Sequence, residues 1–209
     1  MKPIWHEQVQ VYDDIIPIHQ QEHIKNLVMQ QGWWKMYINT PKFPNPRIDN
    51  GYRSPGMAFY TVADSKPVSQ FHDLFVPILK NACTKIGADY DKLTVTQGRA
   101  FAQFALVHKD EITLNAPHLD GPQDHLVVLY YITDATGDTI IFNNRYDPSQ
   151  EGMDPKEQKE LNNRTDWKTK KIVSPKQGRC VVFDGHYWHT SGQPTEQGDL
   201  RIIMNYNLQ

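Results

Sequence analysis

Apolar positions fall near a 3.6-residue period twice in the N-terminal part of the chain. They are Ile16, Ile18, Ile24, Leu27 and Val28, then Phe71, Leu74, Phe75, Ile78, Leu79 and Ala82. The spacing predicts helices over 15–31 and 68–86. Gly32 supplies a stop for the first, and Pro77 is expected to kink or split the second. Between them Gly32–Ile38, with Trp33, Trp34 and Tyr37, reads as an aromatic strand. Beyond Tyr90 the period changes. Thr94–Thr96, Ala100–Val107, Leu126–Ile132, Thr139–Phe142, Lys171–Val173, Arg179–Phe183 and Leu200–Tyr206 are short β-type runs separated by turn residues. About eight short strands at such spacing argue for a sandwich or jelly roll. Helices first and strands second imply an α+β, mainly β arrangement with the N-terminal helices packed on one sheet.

Two stretches fit neither pattern. Residues 40–56 carry Pro41, Pro44, Pro46, Pro55, Asn50, Gly51 and Gly56 and read as a long irregular loop. Residues 147–170 are charged and poor in apolar side chains, with one short possible helix at Pro155–Leu161. The expected organisation is a single domain over 1–209, with a supporting region over 1–92, a β core over 93–209 and an insertion at about 147–170.

Composition narrows the function classes. The net charge is −2, from 24 acidic and 22 basic residues, so neither a nucleic acid nor an anionic membrane is expected as a partner. No apolar run has the length of a membrane span, and Met1–His6 lacks a secretory apolar stretch. Only Cys83 and Cys180 are present, which excludes a disulfide framework and a four-cysteine zinc site. Two buried reduced thiols in a cytoplasmic protein are the expectation, and the sequon Asn163-Arg164-Thr165 carries no weight there.

Phosphate-binding loops, dinucleotide fingerprints, nucleophile elbows and His-Glu-x-x-His are all missing. What remains is His118-Leu119-Asp120 and, further on, Phe183-Asp184-Gly185-His186-Tyr187-Trp188-His189. In a strand, residues i and i+2 point to one face, so His118 and Asp120 can aim at one point. A further histidine from a facing strand would complete a two-histidine, one-carboxylate face suited to non-haem Fe(II), with the other coordination positions open. Taken alone, His-x-Asp also fits a surface turn after Pro117. Arg201 lies in an apolar strand, where alternation places Arg201, Ile203 and Asn205 on one face and Ile202, Met204 and Tyr206 on the other. It either faces solvent on an edge or reaches inward toward an anion, and a carboxylate pairs with guanidinium through two parallel hydrogen bonds.

The order His-x-Asp, Leu-Tyr-Tyr-Ile-Thr-Asp, Gly-Asp-Thr-Ile-Ile-Phe, Phe-Asp-Gly-x-x-x-His and then Arg resembles the Fe(II)- and 2-oxoglutarate-dependent dioxygenases, closest to the prolyl-hydroxylase-like branch. The likeness covers roughly residues 97–208. It implies a double-stranded β-helix core (jelly roll, cupin-like), agreeing with the strand pattern. It implies His118, Asp120 and His189 as catalytic iron ligands. It also implies Arg201, Tyr131 and Thr139 as residues binding the far carboxylate of 2-oxoglutarate. Two departures stand out: Asp138 replaces the second glycine of a Gly-Gly-x-Thr segment, and Arg201 follows His189 by twelve residues, a long interval. His186 competes with His189 for the third ligand position, and Tyr130 competes with Tyr131, since a one-residue register shift exchanges the faces. His125 is expected to be structural or substrate-facing, and His108 to cap a strand.

By that resemblance the cofactors are Fe(II), 2-oxoglutarate and O2. The reaction is hydroxylation of a C–H bond with release of succinate and CO2, and Asp120 occupies the position a halide would need. The prime substrate is expected to be a prolyl or other peptidyl residue, or a small amino-acid-like molecule. The segments 40–56 and 147–170 are candidate lids. Trp33, Trp34, Tyr37, Trp167 and Trp188 offer either a peptide platform or ordinary packing. The competing readings are a cupin-like metalloenzyme of another reaction type, for which Arg201 would face solvent, and a non-catalytic jelly-roll binding module.

Overall fold

The computed structural model describes residues 6–32, 34–37, 56–105, 115, 117–121, 123–146 and 167–209. Residues 40–55 of the expected loop over 40–56, residues 147–166 of the expected insertion over 147–170, Trp33 and His108 lie outside these residues.

The helices come close to their predicted positions. Helix α1 spans Ile18–Gln31, starting after Pro17, whose carbonyl accepts the first intrahelical hydrogen bonds. Helix α2 spans His72–Lys85 and runs unbroken through Pro77, correcting the expected split. Pro77 lies in the second turn, so its missing N–H removes one hydrogen bond, and burial of Phe75, Ile78, Leu79 and Ala82 sustains the helix beyond it.

Among the described residues eleven strands form two antiparallel sheets. They are β1 (Gln10–Tyr12), β2 (Lys35–Tyr37), β3 (Gly56–Ala63), β4 (Lys66–Pro67), β5 (Val95–Phe104), β6 (Leu126–Tyr131), β7 (Thr139–Arg145), β8 (Thr169–Val173), β9 (Cys180–Asp184), β10 (Tyr187–Ser191) and β11 (Leu200–Leu208). The large sheet has the order β1-β9-β6-β11-β5-β3-β2, with β4 attached to β3, and the small sheet is β10-β7-β8. One continuous strand, β5, joins the expected run 94–96 to the first part of the expected run 100–107, whose residues 106–107 lie outside the described residues. Strands β1, β3, β4 and β10 were not predicted from the pattern.

The alternation of β6 explains how the layers stack. Val128 and Tyr130 join α1, α2, β9 and β11 in a core that includes Ile24, Val28, Phe75, Ile78, Leu79, Val182, Ile202, Met204 and Tyr206. Their neighbours Val127, Leu129 and Tyr131 face the other way and pack with Ile141, Val173, Val181, Phe183 and Tyr187 between the two sheets. The helices therefore cover one face of the large sheet, and the small sheet covers the other. This is the mainly β jelly-roll architecture with helical support that the pattern implied. Gly98 makes the helix-side packing possible. A Cβ there would lie 2.3 Å from the Tyr206 ring and 2.6 Å from Thr61 Oγ1, and the Tyr206 hydroxyl lies 2.9 Å from that same Oγ1.

Candidate metal centre and anion pocket

His118 sits in a short extended stretch beside β10. Its N–H donates to the His189 carbonyl at 2.9 Å, and the His189 N–H returns a bond to the His118 carbonyl at 3.1 Å. Asn115 N–H donates to the Ser191 carbonyl at 2.9 Å, extending the ribbon. This pairing places the two imidazoles side by side, with ring centroids 4.5 Å apart. Asp120, two residues on, turns to the same point. His118 Nε2 lies 3.9 Å from Asp120 Oδ1, and His189 Nε2 lies 3.8 Å from Asp120 Oδ2. One donor atom from each of the three residues lies within 4.8 Å of the others.

The protonation states suit a cation. Burial, with the adjacent His118, lowers the His189 pKa to about 4, so the ring is neutral at pH 7. Its Nδ1 lies 3.1 Å from the Tyr187 carbonyl, which can only accept. The proton therefore sits on Nδ1 and leaves the Nε2 lone pair facing Asp120. Burial works against ionisation of Asp120. The surrounding His189, His118, Asn205 amide and Arg99 outweigh it and hold the carboxyl at about 2. Asn205 supplies the directed part, with Nδ2 donating to Asp120 Oδ2 at 2.8 Å.

Arg201 lies four residues before Asn205 on the same face of β11, about 13 Å along the strand. Its side chain is buried, with 1% of the residue exposed. Nε donates to the Gly137 carbonyl at 2.9 Å, Nη1 to Gln103 Oε1 at 2.8 Å and Nη2 to Thr139 Oγ1 at 2.8 Å. Tyr131 donates its hydroxyl to the same Thr139 Oγ1 at 2.7 Å. Three of the five guanidinium N–H groups are thus used, one remaining on each terminal nitrogen, and Thr139, accepting twice, has its own proton to give. Among the described residues no carboxylate lies within ion-pair distance of Arg201. Burial disfavours the guanidinium charge and lowers its pKa, with the adjacent Tyr131, by charge and hydrogen bond, and Asp138 opposing. The pocket is a set of donors around a buried cation, which calls for an anion.

Gly137 lets the chain bring its carbonyl to Arg201. Its φ is +90°, and a Cβ would lie 2.7 Å from the Gly192 carbonyl oxygen. The replacement of the following glycine by Asp138 leaves this turn intact.

The competing residues fall elsewhere. His186 Nδ1 faces Asp184 at 3.3 Å and Asp124 at 3.5 Å, and its ring stacks on Tyr146. Tyr130 points to the helix side, against Phe75. His125 is buried with Nδ1 2.6 Å from the Gln123 carbonyl. Trp34 packs edge-on to Phe59 and donates to the Val28 carbonyl, whereas Trp167 and Trp188 pack on one another. Three site residues were missed by motif reasoning. Gln103, Asn205 and Gly137 are uncharged and carry no spacing signature, although alternation had already set Asn205 on the Arg201 face.

No protein-family model and no curated protein matches the chain. Solved structures do. A 2OG-Fe(II) oxygenase-family oxidoreductase from Burkholderia pseudomallei aligns at TM-score 0.64 and 10% identity, over 96% of this chain and 84% of its own. The non-haem alpha-ketoglutarate-dependent epimerase SnoN of nogalamycin biosynthesis aligns at TM-score 0.59 and 10% identity, over 96% and 77%. The collagen prolyl hydroxylase of Paramecium bursaria Chlorella virus-1, solved with 2OG, aligns at TM-score 0.53 and 13% identity, over 96% and 94%. This chain has the double-stranded β-helix fold shared by those 2OG-Fe(II) oxygenases.

Proposed function

We propose that the protein is an Fe(II)- and 2-oxoglutarate-dependent oxygenase that hydroxylates a C–H bond and releases succinate and CO2. The observation that carries this reading is the coexistence, on one barrel face, of a metal-ready trio and a buried guanidinium without a carboxylate partner. His118, Asp120 and His189 would hold the metal through two imidazoles and one carboxylate, a donor set suited to non-haem Fe(II). Arg201 receives the far carboxylate of 2-oxoglutarate, and Tyr131 and Thr139 complete its cradle. A cupin-like enzyme without an oxoacid would have no use for a cation at 1% exposure, which weighs against that alternative.

Bound Fe(II) and 2-oxoglutarate supply the oxidising chemistry. The chain's own residues do four things. The Asn205 amide fixes the Asp120 carboxylate. The Tyr187 carbonyl fixes the His189 tautomer. Arg201 sets the depth to which the diacid enters. Phe183, Ile141 and Tyr131 help keep the interior dry. Asp120 would also fill the position a halide would need, which favours hydroxylation over halogenation.

The prime substrate is a prolyl or other peptidyl residue, or a small amino-acid-like molecule. Among the structural neighbours a collagen prolyl hydroxylase supports the prolyl reading, and an epimerase of nogalamycin biosynthesis shows the same fold in the making of a small molecule. Among the described residues no helix is long and apolar enough to cross a membrane. The free, buried Cys83 and Cys180 support a reducing, cytoplasmic location.

Anaerobic titration of the Fe(II) protein with 2-oxoglutarate tests the reading. A visible metal-to-ligand charge-transfer band is expected, and admitting O2 should yield succinate. His118→Ala should abolish the band with loss of bound iron. A wild-type protein that binds Fe(II) but gives no band would eliminate the oxoacid, and unchanged iron in His118→Ala would eliminate the ligand set.

A further inference from the structure

Gln103 is the polar side chain that β5 inserts opposite Arg201, its register partner on β11. It is fully buried, with 0% of the residue exposed. Its two amide ends are treated differently. Oε1 accepts from Arg201 Nη1 at 2.8 Å, whereas Nε2 is buried with no hydrogen-bond partner among the described residues. An orphaned buried amide donor is costly, so it marks a place where a ligand is expected to complete the structure. A carboxamide holds its nitrogen rigidly beside its oxygen. Nε2 therefore lies close to the guanidinium, whose terminal nitrogens keep unused N–H groups. Its needs match those of the neighbouring donors: an acceptor with several lone pairs.

We propose that Gln103 is a co-substrate-binding residue, its Oε1 aiming the Arg201 guanidinium and its Nε2 donating to the far carboxylate of 2-oxoglutarate. The assignment rests on the oxygenase reading above. It makes Gln103 a specificity determinant: the residue rewards an oxoacid that ends in a carboxylate and leaves one that ends in a methyl group unaided. Gln103→Glu, nearly isosteric, would give Arg201 a carboxylate of its own and repel the diacid. Gln103→Met would keep the volume and remove both hydrogen bonds.

The test compares two five-carbon oxoacids, 2-oxoglutarate and 2-oxovalerate, by anaerobic charge-transfer titration of the Fe(II) protein. Both variants should bind 2-oxoglutarate at least about tenfold more weakly than wild type, with Gln103→Glu the worse. Their iron content and their affinity for 2-oxovalerate should stay within about twofold of wild type. Equal weakening toward both acids would show a general structural role and overturn the proposal, as would unchanged 2-oxoglutarate affinity. A readout on the wild type is independent of variant folding. In the Zn(II)-loaded protein the Gln103 side-chain amide resonance should move on adding 2-oxoglutarate and stay put with 2-oxovalerate; a resonance unmoved by 2-oxoglutarate refutes the assignment. A wild-type protein that binds no 2-oxoglutarate at all would remove the oxygenase reading, whereas binding without any Gln103 effect removes only this one.

Discussion

Asn205 shows how much a single uncharged side chain can set. Its amide donates to Asp120 Oδ2 while its own Oδ1 is buried without a partner among the described residues. Asn205→Leu keeps the volume but frees the carboxylate to rotate. Metal affinity should fall about 10- to 100-fold, read by Mn(II) titration, while the fold is retained. The residues around it also set a pH dependence in the metal-free protein. His189 titrates at about 4 when folded, against an ordinary value of 6.5. The unfolded chain therefore binds the extra proton first as pH falls, and stability drops between pH 6.5 and 4 rather than rising. The loss should be on the order of 3 kcal/mol, measured by denaturant unfolding at pH 7 and pH 4.5. Chemistry at this scale was partly legible in the sequence. The i, i+2 geometry of His118 and Asp120 and the improbable apolar setting of Arg201 both come from local rules. Gln103 did not stand out, because a lone glutamine in a strand is ordinary until the cross-strand register sets it against a guanidinium.

At the scale of elements, helices α1 and α2 were visible through their 3.6-residue period, whereas β6 and β9, buried on both faces, were visible as unbroken apolar runs between turn residues. Strand β3 is buried on both faces along most of its length and follows a Pro- and Gly-rich stretch, so no alternation marks it. Strand β10 is short and rich in polar and aromatic residues, and it reads as a motif rather than as a strand. The junction of β5, β11 and α2 turns on Gly98, where the Tyr206 ring passes over bare backbone. Gly98→Ala should displace that ring and break its hydrogen bond to Thr61. A destabilisation of about 1–3 kcal/mol is expected from chemical denaturation. The metal donors lie on the opposite face of the large sheet, so metal affinity in the folded fraction should be unchanged.

Over the whole molecule, the helical layer and the barrel share one core. Cys83 on α2 and Cys180 on β9 both belong to it, at 1% and 0% exposure. Burial raises both thiol pKa values, that of Cys83 to about 11, so neither is a thiolate at neutral pH. Both should resist a thiol reagent in native buffer. If the supporting region and the barrel unfold as one unit, both should become reactive at a single denaturant midpoint, followed by pulsed labelling and mass spectrometry. Two separate midpoints would divide the chain near residue 93. The jelly-roll class was legible at this scale because many short strands with regular turns admit few architectures. The closing of the small sheet over the site was not, since it depends on pairings between distant segments.

The backbone rungs that tie His118 to His189 have a mechanical consequence. Asn115 and His118 are fastened to the edge of β10 by main-chain bonds, and on the proposed reading a cation held by both imidazoles would add a lateral clasp to the same seam. Losing that cation would leave the seam to its backbone bonds, so whatever weakens this edge would also weaken the hold on the ion.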